Sequence, residues 1–144
     1  MGMDIITLTI PGAPVAKGRP KVTTRGGFAR AYTPSKTRHY EDLIRCEAAN
    51  QMGDNPPFDE AVCVSITAFV AMPKSMSKKK RIDAADGVLK PTTRPDCDNY
   101  AKCMDALNGI VWRDDSLVTD LIVRKRFSER PRLVITVERE AEYA

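Results

Sequence analysis

Residues 94–109 read RPDCDNYAKCMDALNG, and VWRDDS follows at 111–116. Two aspartates open this stretch, Asp96 and Asp98, and Asn108-Gly109 closes it. Wound at about 100° per residue, a helix over 98–108 brings Asp98, Lys102 and Asp105 within about 60° of one another. Tyr100, Cys103, Met104 and Leu107 then share the opposite side, so one face packs and the other presents charge. Asn108-Gly109 is an ordinary helix terminator. Asp114 and Asp115 therefore fall in a loop just beyond the helix, ahead of a strand.

The flanking segments complete the layout. Residues 117–127 and 132–139 are β-rich and separated by Ser128-Glu-Arg-Pro131, which predicts a terminal antiparallel hairpin. Residues 61–71 (AVCVSITAFVA) give the clearest strand, and 4–10 (DIITLTI) form another that ends at Pro11-Gly12. Between Val22 and Tyr32 lies a loose hairpin with Gly26-Gly27 at its tip. Thr33-Pro34-Ser35 opens a helix, with Ser35 or Thr33 as N-cap and Tyr40, Leu43, Ile44, Ala48 and Met52 on its buried face. A short basic helix is expected at 75–83 and a loop at 84–95. The order predicts one mixed α/β (α+β) domain over residues 1–144, a single-layer mixed β-sheet packed with two main helices.

Composition removes several chemistries. The chain has 144 residues, 42% hydrophobic and 29% charged, which fits one globular domain rather than a disordered chain. Its apolar runs fall short of the ~18 residues of a membrane span, and no signal peptide is visible, so a cytoplasmic protein without a membrane partner is expected. The four cysteines (Cys46, Cys63, Cys97, Cys103) show no C-x2-C pairing and His39 is the sole histidine, an unpromising zinc set. The thiols read as reduced and mostly core filler. Carboxylates are the chemistry that remains.

Net charge is +4, but its distribution says more. Lys17, Arg19, Lys21, Arg25, Arg30, Lys36, Arg38 and Arg45 form one basic block. Lys74, Lys78, Lys79, Lys80, Arg81 and Lys90 form a second, and Arg124, Lys125, Arg126, Arg130 and Arg132 a third. A single block is commonly a solvated face; three in a small domain point to a polyanion, with Lys17, Arg19, Lys21, Arg25, Arg30, Lys78, Lys79, Lys80 and Arg81 as candidate DNA contacts.

A helix cap needs one aspartate, and an Asp98–Lys102 pair at i, i+4 is worth only ~0.5 kcal/mol. The surplus of acid calls for more. Carboxylates crowded together repel, so a fold that gathers them normally holds a cation. With oxygen donors only, the suitable ion is hard: Mg²⁺, which takes one or two carboxylates together with water and phosphate oxygens. Acidic cluster, lysine and surrounding basic blocks together describe a metal-dependent phosphodiesterase site in which Lys102 meets the charge of the transition state.

These residues resemble the RusA family of Holliday-junction resolvases, common in phages and prophages. The resemblance rests on D-x-D-N-x2-K at Asp96 to Lys102, D-A-L-N-G at Asp105 to Gly109, and D-D-S at Asp114 to Ser116. Lys17-Gly-Arg-Pro20 and Tyr32-Thr-Pro34 agree with it. The resemblance implies a homodimeric, Mg²⁺-dependent endonuclease, with Mn²⁺ able to substitute, that resolves four-way junctions and other branched DNA by paired symmetric nicks in recombination and repair. By the same resemblance the catalytic and metal-binding carboxylates are Asp96, Asp98 and Asp115, with Asp114 as their neighbour, and Lys102 is the catalytic lysine. Two symmetric sites suit a two-fold symmetric junction.

The family pattern places three residues between the lysine and the aspartate of D-A-L-N-G, whereas only Cys103 and Met104 lie between Lys102 and Asp105. On a continuous helix that difference rotates Asp105 and its successors by about 100° relative to Lys102. The alternative reading is therefore a catalytically impaired protein that binds branched DNA. A phosphohydrolase of free nucleotides ranks below both, because dispersed basic blocks suit an extended polyanion.

Overall fold

The computed structural model describes residues 3–17, 21–24, 26–27, 29–32 and 35–140, with the backbone alone for 21–23 and 30–32. In chain order the elements are β1 (Ile5–Pro11), β2 (Lys21–Thr23), β3 (Arg30–Tyr32), α1 (Ser35–Met52), β4 (Val62–Ala71), α2 (Lys78–Ala85), α3 (Cys97–Ala101), β5 (Val118–Ser128) and β6 (Arg132–Arg139). Two 3-10 segments lie between α3 and β5, at Lys102–Leu107 and Asp115–Leu117.

Strict alternation along β4 buries Val62, Val64, Ile66 and Ala68 and makes it a central strand. The sheet order is β1-β6-β4-β5, with β6 antiparallel to both β1 and β4, and β4 parallel to β5. The expected terminal hairpin is thus corrected: β5 and β6 do not pair. Phe69 of β4 is the partner of Arg126 on one side and of Arg132 on the other. The short 129–131 connection therefore steps over the end of β4. A linker of that length looks like a hairpin turn locally, but the most apolar strand gains more by occupying the middle, where both of its edges are paired.

One face of the sheet carries the core. Leu8 and Ile10 of β1, the buried row of β4, and Leu133, Ile135 and Val137 of β6 meet Tyr40, Ile44, Ala48 and Met52 of α1, which recur every fourth residue. Leu43, expected among them, is only partly buried. Each large side chain so placed contributes about 1.5–3 kcal/mol relative to exposure. α1 also covers the free edge of β1: the Gln51 amide accepts from Thr9 N at 2.9 Å and donates to Thr9 O at 2.8 Å. The predicted glycine-tipped hairpin is present as β2 and β3, with Gly26 and Gly27 at φ +83° and +84°. Thr33 and Pro34 lie outside the described residues.

Two more expectations are corrected. The second main helix is α-helical only over α3 and continues as the 3-10 segment Lys102–Leu107. The core explains the tightening: Tyr100, Cys103 and Ala106 are all buried and spaced by three, the period of a 3-10 turn. The cysteines are all free, but only Cys103 is core; Cys46 is exposed, and Cys63 and Cys97 are half-buried. Among the described residues, no helix is long and apolar enough to cross a membrane.

Candidate active site

The approach to α3 is fixed from the sheet. Lys125 on β5 donates from Nζ to the carbonyls of Thr93, at 2.8 Å, and Pro95, at 3.0 Å. This ammonium ties down the residues immediately before Asp96. Asp96 itself occupies the N-cap position of α3, yet its carboxylate makes no capping hydrogen bond. The helix does not use that side chain. The plain structural explanation for an aspartate there is therefore not the one observed.

The change of helix type aligns the next residues. Four α-helical steps from Asp98 to Lys102 amount to about 40° net, and three 3-10 steps from Lys102 to Asp105 bring the chain back to the same side. Asp98, Lys102 and Asp105 accordingly line one open cleft, together with Lys17, Ala101 and Met104. Lys102 Nζ donates to Asn99 Oδ1 at 3.0 Å, which steadies the ammonium on the cleft side. The strap before β2 docks against α3 through Lys17 N, which donates to Asn99 O at 3.1 Å. Lys17 Nζ then lies 3.7 Å from Asp105 and 3.6 Å from Glu41. At those distances, and partly exposed, each pair is worth ~0–1 kcal/mol.

The second acidic pair is delivered by a buried turn. Leu107, Val111 and Trp112 are fully buried, and Trp112 Nε1 donates to Asn108 Oδ1 at 2.7 Å. Gly109, at φ +80°, donates its N–H to Trp112 O at 2.7 Å and reverses the chain where a terminator was expected. Phe58 clamps the turn through Phe58 N to Val111 O at 2.8 Å and Arg113 N to Phe58 O at 2.9 Å. Asp114 caps the following 3-10 turn by accepting from Ser116 N at 3.1 Å. Asp115 follows on this turn, close enough to Asp105 for the two carboxyls to interact.

The electrostatics separate these neighbours. Hydrogen bonds from Ser116, side chain first and backbone second, hold the Asp114 carboxyl below the usual range. Asp115 is pushed up, first by partial loss of water, then by the hydrogen bond with Asp105 and the charges of Asp114 and Asp105. Carboxylates this close repel even where, as with Asp105 and Asp114, they are exposed, and a divalent cation relieves that repulsion. The donor set is all oxygen and suits a hard ion. The residues present fit such a metal.

Asp98 and Asp105 share the cleft and Asp105 touches Asp115, while Asp96 and Asp115 are not among the residues lining it. Among the described residues, donor atoms all within 4.8 Å of one another occur at Cys63, Asp120 and Glu140; the three expected aspartates stand farther apart. Mg²⁺ keeps several waters and needs only one or two carboxylates, so the wider spacing remains usable. At the Cys63 group, a hydrogen bond with Asp120 pushes Glu140 up, and loss of water pushes up the Cys63 thiol.

Several basic residues turn out to hold the fold. Arg81 donates to the carbonyls of Met76, Pro73 and Lys74 and so fastens the segment before α2. Arg132 stacks on Phe69, 3.9 Å from the ring centroid. Lys78, Lys79 and Lys80 are exposed in the first turn of α2. Arg19 and Arg25 lie outside the described residues, as do the side chains of Lys21 and Arg30. Lys17 faces the acidic cleft, a role that its place in a basic block does not signal. Lys125 and Asn99 were the positioning groups missed from the sequence; for Asn99 the signal was its place between Asp98 and Lys102.

The family described as "Endodeoxyribonuclease RusA" matches residues 11–138. The "Uncharacterized protein YqaN" of Bacillus subtilis (strain 168) is 39% identical over 138 residues, covering 94% of this chain and 96% of that protein.

Proposed function

The chain belongs to the RusA endodeoxyribonuclease family, which acts on branched DNA and is generally divalent-metal dependent, and from that premise we propose that it is a Mg²⁺-dependent nuclease that resolves four-way junctions by paired symmetric nicks. The observation that carries this reading is the shared face of Asp98, Lys102 and Asp105, with Asp115 drawn against Asp105. Of Asp96, Asp98 and Asp115, one or two would hold the ion directly and the rest through its waters, with Asp114 fixing the turn that presents Asp115. Bound there, a divalent cation supplies neutralisation of the phosphate and activation of the attacking water.

The chain's own groups do the rest. Lys102, steadied by Asn99, meets the negative charge that grows on the phosphate oxygens. Lys17 balances Asp105 and Glu41, which limits the net negative charge a phosphate encounters on entering. Lys125 keeps the Thr93–Pro95 backbone, and hence Asp96, in place. A homodimer supplies two sites to a two-fold symmetric junction. The 3-10 alignment of Lys102 with Asp105 supports an active enzyme over the impaired DNA-binding alternative.

The test is cleavage of a labelled synthetic four-way junction, with linear duplex as control, in Mg²⁺ and in EDTA. Paired symmetric nicks that require Mg²⁺ and spare the duplex are expected. Junction binding without cutting would replace this reading with the impaired alternative, and hydrolysis of free nucleotides would replace it with the phosphohydrolase.

A further inference from the structure

On the side of α3 away from the acidic cleft lies a larger cavity, about 660 Å³, between the end of β4, α2, the 89–95 segment and β5. Its volume is in the ~300–1,000 Å³ range of small-molecule sites. Val70, Leu89 and Phe127 give it an apolar floor, and the exposed Lys80, Lys90 and Arg94 stand at its rim. Ser77 and Thr92 add hydroxyls. None of the described residues that line it is acidic. An aromatic and aliphatic floor, hydroxyls that can both donate and accept, and cations at the mouth match a nucleobase joined to a phosphate.

The cavity adjoins the candidate active site. Tyr100 lines it from α3, while Asp98 and Lys102 of the same turns line the acidic cleft, so α3 is the wall between the two. Arg94 and Pro95 line it and lead directly into Asp96. A strand whose phosphate lies at Asp96 and Asp98 therefore has the cavity within reach of an adjacent nucleotide.

We infer that this cavity receives one unstacked nucleotide of the DNA strand under cleavage, its base on the apolar floor and its phosphate at Lys80 and Lys90. The inference rests on the nuclease reading above and extends it to how branched DNA is told from duplex. Bases at a junction crossover give up stacking at less cost than those inside a duplex arm. A slot for one extruded base thus selects substrates that have one to offer.

The experiment uses junctions carrying a single abasic nucleotide, moved one position at a time through the crossover region. Affinity is measured in EDTA and cleavage in Mg²⁺, for the wild type and for two variants that fill the cavity from opposite walls, Ala71→Trp and Thr92→Trp. Both sites are exposed, and two variants guard against a local folding defect. The wild type should lose about tenfold in affinity at one or two abasic positions and little elsewhere, the scale of one stacked base. Each variant should bind the intact junction about tenfold more weakly and no longer distinguish it from the abasic ones. A flat wild-type scan, or variants that keep the full discrimination, would overturn the inference. Because affinity is read without metal, the two proposals can fail separately. Base-dependent binding without cleavage would sink the nuclease reading and keep the cavity; cleavage with a flat scan would do the reverse.

Discussion

The two sides of α3 and of the 3-10 segment that continues it differ in chemistry although one short run of chain makes both. The face of Asp98, Lys102 and Asp105 is open, charged and bordered by carboxylates in contact. The face of Tyr100 looks onto an apolar cavity rimmed by cations and lined by no acid among the described residues. The difference teaches a division of labour: a face whose lysines are matched by its aspartates draws a polyanion only weakly, and an apolar basic slot cannot hold a cation. On the reading proposed above, the basic rim brings in the polyanion and the aspartate side receives its phosphate. The comparison is sharpest where a substitution alters one side alone.

Asp98→Asn should give the largest separation. Cleavage of a four-way junction should fall by about 10³-fold, while affinity in EDTA stays equal or tightens because a charge that repels phosphate has gone. Cutting at the wild-type rate would remove Asp98 from the chemistry. Lys102→Ala comes next, with turnover reduced about 10²-fold and the dissociation constant little changed in single-turnover assays. Equal losses in both would make Lys102 a binding residue.

Lys125→Ala addresses the shared frame rather than either face. Loosening the carbonyls of Thr93 and Pro95 should cost about tenfold in cleavage, with partial rescue by Lys125→Arg, which restores donors to the same region. No rescue, or loss of binding alone, would assign Lys125 to DNA instead. On the basic side, replacing Lys78, Lys79 and Lys80 by alanine should lower the slope of log affinity against log salt by about 2–3, near 0.9 per phosphate contact. An unchanged slope would take that block out of the interface.

The smallest effect is on stability. Because the Asp115 carboxyl is pushed up in the folded protein, its contribution is favourable at low pH and is lost as pH rises through that raised value. In EDTA, Asp115→Asn should therefore raise the melting temperature by a few degrees at neutral pH, with no gain below the ordinary carboxylate range. A gain that grows toward acid would contradict the repulsion described at Asp105 and Asp115.

The strands and α1 were legible because their apolar residues repeat at two and four, a pattern that local sequence carries completely. Pairing was not: Ser128-Glu-Arg-Pro131 has the length of a hairpin turn, and nothing nearby says that β4 will enter between β5 and β6. The charged face of Asp98, Lys102 and Asp105 was also readable. Its 3-10 geometry was present as the three-residue spacing of Tyr100, Cys103 and Ala106, obscured by residues that favour either helix equally. The Asp105–Asp115 contact depends on how Trp112 and Phe58 fold the intervening turn, a tertiary matter. The fates of Arg81 and Lys125 were hidden for another reason, since a cation that binds carbonyls has the same sequence signature as one that awaits DNA.

The most direct test of where the cation sits is a titration of Mn²⁺ into the protein–junction complex, with free ion read by electron paramagnetic resonance. It compares the wild type, Asp98→Asn and Glu140→Gln, the last altering the separate Cys63, Asp120 and Glu140 group. Loss of at least about tenfold in Mn²⁺ affinity with Asp98→Asn, and wild-type uptake with Glu140→Gln, is the predicted result. The opposite pattern would place the ion at the start of β5 and contradict the account of α3.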